Sequence, residues 1–539
     1  MTYNRRKYHG RSSTIMSKRI SRRCLPFFLF LLFLFSCDFN AGPPPVLVTH
    51  EFTNLEGNDV FLIKVNTNNF IVPASNTGRV YNHTLRAIID SPIESSTERS
   101  NLPELNETQL FNADYFEDHF KDILLPGHHP YQDMFDSDPF PQKDNRSSIQ
   151  GRSPSPAMLS VGSPKTFWLE TTFGDRNFVE RTATLMAIGE HSNIWVIPGS
   201  VNITNQRAAA VAKMFDIIYP AAVNILGYET GGGPTGDGGI DRDKKIQILI
   251  YDIGQGVGGY FWGGKDMRTF IPNVRYSNEA EMFYVDSSQV VNNFGFLPYL
   301  LIHEFQHLVN FSRKGMDYGW SSPFWYDEMM SMMAEDLIIS IFQNYINSNS
   351  DSPVTMNDIS FYNPISRYLM SYLRNYHEVG ITEWVYLGSL SYAKACAYGA
   401  YLMRNYGGVE LLRRMMSNNT VDIRSVDAAL SSLNPGMDFI NSLMRFGEAF
   451  VYFRQPLNAN QASFNRTVSN TINGRTYTLN AVNIWASMGP RIFNLTPIEM
   501  RPHSALVHSD SSWFNVSGDL TIVMDIPRDP NVQYYFIVD

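Results

Sequence analysis

The residues best suited to chemistry are His303, Glu304 and His307, within Tyr299-Leu-Leu-Ile-His-Glu-Phe-Gln-His-Leu-Val-Asn310. Two histidines four apart lie on one face of a helix. At that spacing, neutral imidazoles can hold one zinc ion at about 2.0–2.1 Å each. Glu304 stands beside the first histidine. There it can take a proton from a water on the metal and return it to a leaving amine. With 12 histidines in 539 residues, chance supplies only about 0.01 such patterns. The flanking residues Leu300, Leu301, Ile302, Leu308 and Val309 are apolar, so the helix is expected to be buried. Two imidazoles and a carboxylate buried there would be costly unless paired or metallated.

A catalytic zinc needs a third protein ligand and one open position. Trp325-Tyr-Asp-Glu328-Met-Met-Ser-Met-Met-Ala-Glu335-Asp336 is the source, after a turn rich in Gly315, Gly319, Ser321, Ser322 and Pro323. Its acids offer two choices, Glu328 and Glu335. Glu328 lies 21 residues after His307, a spacing that resembles the gluzincin peptidases, which place a ligand Glu on the following helix. That resemblance implies Glu328 as the metal ligand, with Glu335 the alternative. Glu335 or Asp336 would otherwise support a ligand or lie on a solvated face. In thermolysin-like relatives, a carboxylate four residues after the ligand Glu orients the first histidine. Here Met332 occupies that place, so the partner of His303 is open. Met329, Met330, Met332 and Met333 read as core filling. The long metzincin pattern is absent: Asn310 stands where its Gly would be, and Arg313 and Lys314 follow instead of a third His.

The segments His303–Phe311 and Trp325–Glu335 together resemble the hyicolysin family of secreted bacterial zinc metallopeptidases (peptidase family M30), over about residues 165–455. The resemblance implies a gluzincin-like fold, zinc and endopeptidase activity on a protein or peptide substrate. Many gluzincins support the oxyanion with a Tyr or His from a later helix. Tyr392-Ala-Lys-Ala, ahead of Gly407-Gly408, resembles their Tyr-x-Lys-Gly. It makes Tyr392 the first choice, before Tyr398 and His377. An aminopeptidase would need an acidic, amine-binding GxMEN-like strand, which Gly259-Tyr-Phe-Trp262-Gly-Gly does not supply.

The elements that must position these groups are also legible. Residues 182–188, 194–197, 246–252 and 282–286 read as strands. Residues 205–226 read as a helix kinked at Pro220. From 297 to about 454 the pattern is mainly helical, and 460–539 returns to strands. The expected class is therefore α+β, a mixed sheet plus a helical half, flanked by small N- and C-terminal β modules. The expected divisions are a signal peptide (1–36), a tether and small β module (37–92), a polar linker (93–165), the metallopeptidase domain (166–455) and a C-terminal β domain (456–539).

Residues 1–36 carry eight basic residues, no acid and the apolar run Leu25–Phe35, the pattern of an export signal. At 11 residues that run is too short to span a bilayer. The run ends in Leu34-Phe35-Ser36-Cys37, a loose lipobox that would lipidate Cys37 and anchor an exported protein at the cell surface. Simple cleavage near Ser36 would release it instead. Beyond residue 36, 35 basic residues face 52 acidic ones, a net charge of −17 that argues against nucleic-acid binding. Cys396 then has no partner for an internal disulfide. Neither Cys37 nor Cys396 is placed to act as an inhibitory thiol. Asp237, Asp241 and Asp243 follow a glycine loop and suggest either calcium or an ordinary turn, the EF-hand Glu being absent. Gly254–Gly264 lacks the Gly-Lys-Ser/Thr of a phosphate loop. The rival readings are a surface lipoprotein or adhesin with a peptidase-like fold and no turnover, and a metal-dependent hydrolase of non-peptide substrates.

Overall fold

The computed structural model describes residues 46–81, 125–128, 159–267, 276–363, 365, 368–369, 372, 375–384, 389–452, 457–484 and 499–539. The expected export signal, Cys37 and most of the expected linker lie outside these residues.

The strands are β1 (Leu47–Asn58), β2 (Val60–Asn66), β3 (Val72–Pro73), β4 (Val80–Tyr81), β5 (Leu125–His128), β6 (Pro164–Glu170), β7 (Phe178–Ile188), β8 (Ser192–Val196), β9 (Ile246–Tyr251), β10 (Val257–Phe261), β11 (Met282–Asp286), β12 (Val468–Ile472), β13 (Arg475–Leu479), β14 (Glu499–Met500), β15 (Ser504–His508), β16 (Val516–Asp525) and β17 (Val532–Val538). The helices that matter to the site are α1 (Asn205–Leu226), α2 (Ser287–Asn292), α3 (Leu297–Asn310), α4 (Phe324–Glu335), α5 (Ile338–Ile346), α6 (Met356–Phe361), α7 (Ser389–Tyr406), α8 (Val409–Ser417), α9 (Asp422–Leu433) and α10 (Phe439–Phe446).

The central sheet has seven strands in the order β5-β10-β11-β9-β8-β7-β6. β8, β9 and β11 run parallel, β6, β7 and β10 join antiparallel, and β5 lies parallel to β10. The parallel strands are buried on both faces and almost continuously apolar, as such strands must be. One face packs Trp195, Leu249, Tyr260 and Tyr284 into a small core. The other carries Ile194, Ile248, Phe283 and Val285 into the large core shared with the helices. The architecture is the α+β class expected.

α1 forms where its spacing indicated. Thr204 caps it by accepting from the Arg207 amide at 3.2 Å, and Pro220 lies within it. It is long and apolar enough to cross a membrane, yet it packs on β7, β8 and α3, and its buried residues belong to the large core.

Two expected divisions are redrawn. The N- and C-terminal β modules form one unit, because their strands complete each other's hydrogen bonding. β1 pairs with β16 and β16 with β4, while β2 lies between β15 and β17. β2 has period-2 alternation with both faces buried. Phe61, Ile63 and Val65 face the large core, and Val60 and Leu62 face a second sheet through Leu520, Ile522 and Met524. The hairpin β12–β13 belongs instead to the helical half. Tyr477 donates to the Ala221 carbonyl of α1 at 3.0 Å, and Asn224 of α1 donates to the Ile472 carbonyl at 2.8 Å. The helical unit thus continues beyond residue 455. The expected linker, for its part, contributes β5 to the edge of the central sheet.

Candidate metal centre

All fourteen residues of α3 are buried, packed on β10, β11, α1 and α4. A turn of π-helix, Phe311–Met316, then redirects the chain. It turns Lys314 away from the histidines to donate to the carbonyls of Met415 (2.7 Å) and Asn418 (2.6 Å) at the end of α8. Burial pushes that lysine down to about 7. α4 returns across α3, and α7 packs against α4. Gly399 permits that approach: a Cβ there would lie 2.7 Å from Met333 Cγ. Met329, Met330, Met332 and Met333 are buried as core filling.

His303, His307 and Glu328 converge. Their ligand atoms lie within 4.8 Å of one another, all buried. His303 Nε2 is 3.1 Å from His307 Nε2 and 3.1 Å from Glu328 Oε2, and His307 Nε2 is 3.7 Å from Glu328 Oε1. Each histidine is held from behind. His303 Nδ1 donates to Glu335 Oε1 at 2.7 Å, and His307 Nδ1 to Asp327 Oδ2 at 3.0 Å. Both Nε2 atoms are therefore aimed at the shared point, the tautomer metal-binding histidines use. Asn310 steadies Asp327 by donating to Oδ1 at 2.8 Å, and Ser331 bonds Gln306 beneath the pair.

Burial lowers the histidines' affinity for protons, but their carboxylate partners outweigh it. His303 is raised to about 9, and His307 is also raised, chiefly by Asp327 and Glu328. Two basic nitrogens and a carboxylate oxygen at one buried point are a borderline-soft N/O donor set that fits zinc. Glu304 strengthens the fit. It is fully buried, and neither of its oxygens has a hydrogen-bond partner. Burial pushes its carboxyl up to about 8, against the pull of His303 and His307. An uncompensated carboxylate in such a place is costly unless water or a cation meets it. It faces β10, where a Cβ on Gly259 would lie 3.4 Å from Glu304 Oε1.

Tyr392 reaches the group. Its hydroxyl lies 3.5 Å from Glu328 Oε1, and its ring is 6.4 Å from that of His303. Trp384 stands edge-on to it at 5.0 Å. Tyr398 is not brought there. Six residues along α7 turn it to another face, where its hydroxyl meets Ser442 Oγ at 2.6 Å among Tyr401, Phe439 and Phe446. His377 packs edge-on against Tyr376 instead.

The open question of the His303 partner is answered by Glu335. Seven residues, two turns, separate it from Glu328, so both point at α3 from one face of α4. Asp327 is the residue the sequence reasoning missed. Its only signal was its place beside the ligand Glu, one residue back on a helix that crosses α3. Among the described residues, no second group of acids or histidines converges in this way. Asp237, Asp241 and Asp243 are tied into their own loop. Asp237 accepts from the Gly239 amide, Asp241 from that of Asp243 and Asp243 from that of Lys245, so the three build the loop.

A family model described as Peptidase M30 matches residues 181–490, which include β8, β9, β10 and β11 of the central sheet, all the residues of this centre and the hairpin β12–β13. No match was found among curated proteins.

Proposed function

The chain belongs to the peptidase M30 family, and on that premise we propose that it is an exported zinc metalloendopeptidase. The observation that carries the reading is the convergence of His303, His307 and Glu328 beside the unpartnered, buried Glu304. Zinc held by those three would polarise the scissile carbonyl and make water nucleophilic near neutral pH. The remaining work falls to the chain. Glu304 takes the proton of the attacking water and delivers it to the leaving nitrogen. Glu335 and Asp327 keep both imidazoles oriented. Tyr392 donates its hydroxyl hydrogen to the oxygen that gains charge as the carbonyl becomes tetrahedral. Export rests on residues 1–36, and attachment at Cys37 on the residues before it.

The test pairs elemental analysis with casein hydrolysis, with and without a chelator. One zinc per chain and chelator-sensitive cleavage are expected. Glu304→Gln should keep the zinc and lose turnover by at least about a thousandfold, and Tyr392→Phe should lower kcat by roughly a hundredfold with KM little changed. Zinc without cleavage of any peptide would leave a hydrolase of another substrate or a non-enzymatic surface protein. No zinc after reconstitution would remove the metal reading.

A further inference from the structure

β10 is the strand that faces Glu304, and β5 covers its outer edge. The register pairs Gly259 with Pro126, Tyr260 with Gly127 and Phe261 with His128, and β5 also packs against α3. Gly259, where a Cβ would lie 3.4 Å from Glu304 Oε1, is thus one of those that β5 occupies. A peptide to be cleaved must bring its scissile bond within about one water of Glu304. A free strand edge is the natural template for an extended peptide, through main-chain hydrogen bonds. Here that template is already taken by a segment of the same chain.

We propose that Leu125–His128 is an autoinhibitory strand that fills the peptide-binding edge of β10 beside the metal centre. The inference rests on the peptidase reading and adds its regulation. The strand is suited to release. It is four residues long, and Pro126 has no amide hydrogen to give the ladder. It supplies a block on the active edge that neither Cys37 nor Cys396 is placed to supply.

The experiment uses the zinc-loaded full chain and two variants, Gly127→Pro and the double change Leu125→Pro with Gly127→Pro. Hydrogen exchange of the amides over Val257–Phe261 and hydrolysis of a fluorogenic peptide are measured together. Unchanged exchange over α3 and α4 verifies the fold, and the single variant serves should the double one fail that check. Expected are lost protection over Val257–Phe261 and a rise in kcat/KM of at least tenfold, mainly through KM. A synthetic peptide of residues 121–132 carrying His128→Ala and His129→Ala, which cannot chelate zinc through imidazole, should then restore protection and inhibit competitively. Unchanged protection in the variants overturns the strand's occupancy of the edge. Lost protection with equal turnover in wild type and variants overturns the inhibitory role alone. Lost protection with no turnover in any form overturns the peptidase reading, and the inhibitory role with it.

Discussion

At His303 and His307 the work is divided between two ends of each ring. Nε2 faces the shared centre, and Nδ1 is anchored by Glu335 or Asp327. Glu335→Gln keeps the shape but weakens the anchor. Zinc affinity should fall about 10–100-fold, read by competition against a chromophoric chelator, with the fold unchanged. A second titratable residue lies outside the centre. Glu281 is buried and accepts from the Ile240 amide. Burial first, then the neighbouring acid Asp241, pushes its carboxyl up to about 8, with Glu229 adding to the rise. The folded form therefore keeps a proton that the unfolded chain releases near its ordinary value. Stability is full below that value and is lost as pH rises through the folded pKa. Glu281→Gln removes the loss, so urea unfolding should show the variant gaining on wild type between pH 5 and pH 8, by roughly 2–4 kcal/mol. An equal difference at both pH values would contradict this.

Among the elements, the distance between α4 and α7 sets the relation of Glu328 to Tyr392. Gly399 sits at that contact. A Cβ would approach Met333 Cγ to 2.7 Å and Met329 Cγ to 3.3 Å, closer than packed side chains tolerate. Gly399→Ala should destabilise by about 1–3 kcal/mol and move Tyr392 away from Glu328. The measurement is Tm together with kcat, and a fall in Tm alone would show that α7 shifts without disturbing the centre. The π-turn after α3 serves the same geometry, since it sends Lys314 to α8 while the chain returns through α4. The methionines of α4 then fill the space around its three buried carboxylates, Asp327, Glu328 and Glu335, with side chains that adapt their shape.

Across the whole molecule, the two ends of the described chain close on each other. All seven residues of β2 are buried between β15 and β17 and against the helical half, and Ile63 lies where a Cβ on Gly447 would fall, at 2.6 Å. Ending the chain at residue 503 would strip β2 of both neighbours and expose Phe61, Ile63 and Val65. Each such side chain contributes roughly 1.5–3 kcal/mol when fully buried. The truncated protein should be aggregated or unfolded by circular dichroism and size-exclusion chromatography. A soluble truncated form with the wild-type melting profile would show that the terminal β unit is dispensable.

Local chemistry made much of this protein legible from its residues alone. The HExxH spacing, the strands at 246–252 and 282–286 and the helix at 205–226 depend on periodicities and residue types within a few turns of chain, whereas Glu328 was singled out from Glu335 only through the resemblance to gluzincins. What lay beyond reach depends on contacts between distant segments. Asp327 emerged as an anchor, and Glu335 was told apart from Asp336 in that role, only where α4 crosses α3. Tyr392 and Tyr398 differ only in the face of α7 they occupy, which packing against α4 selects. The terminal strands and β5 show the same limit. A strand's sequence specifies its two faces through side-chain alternation, but its hydrogen-bonding edges are backbone, nearly identical in every strand. Which edge meets which was therefore decided by tertiary structure alone.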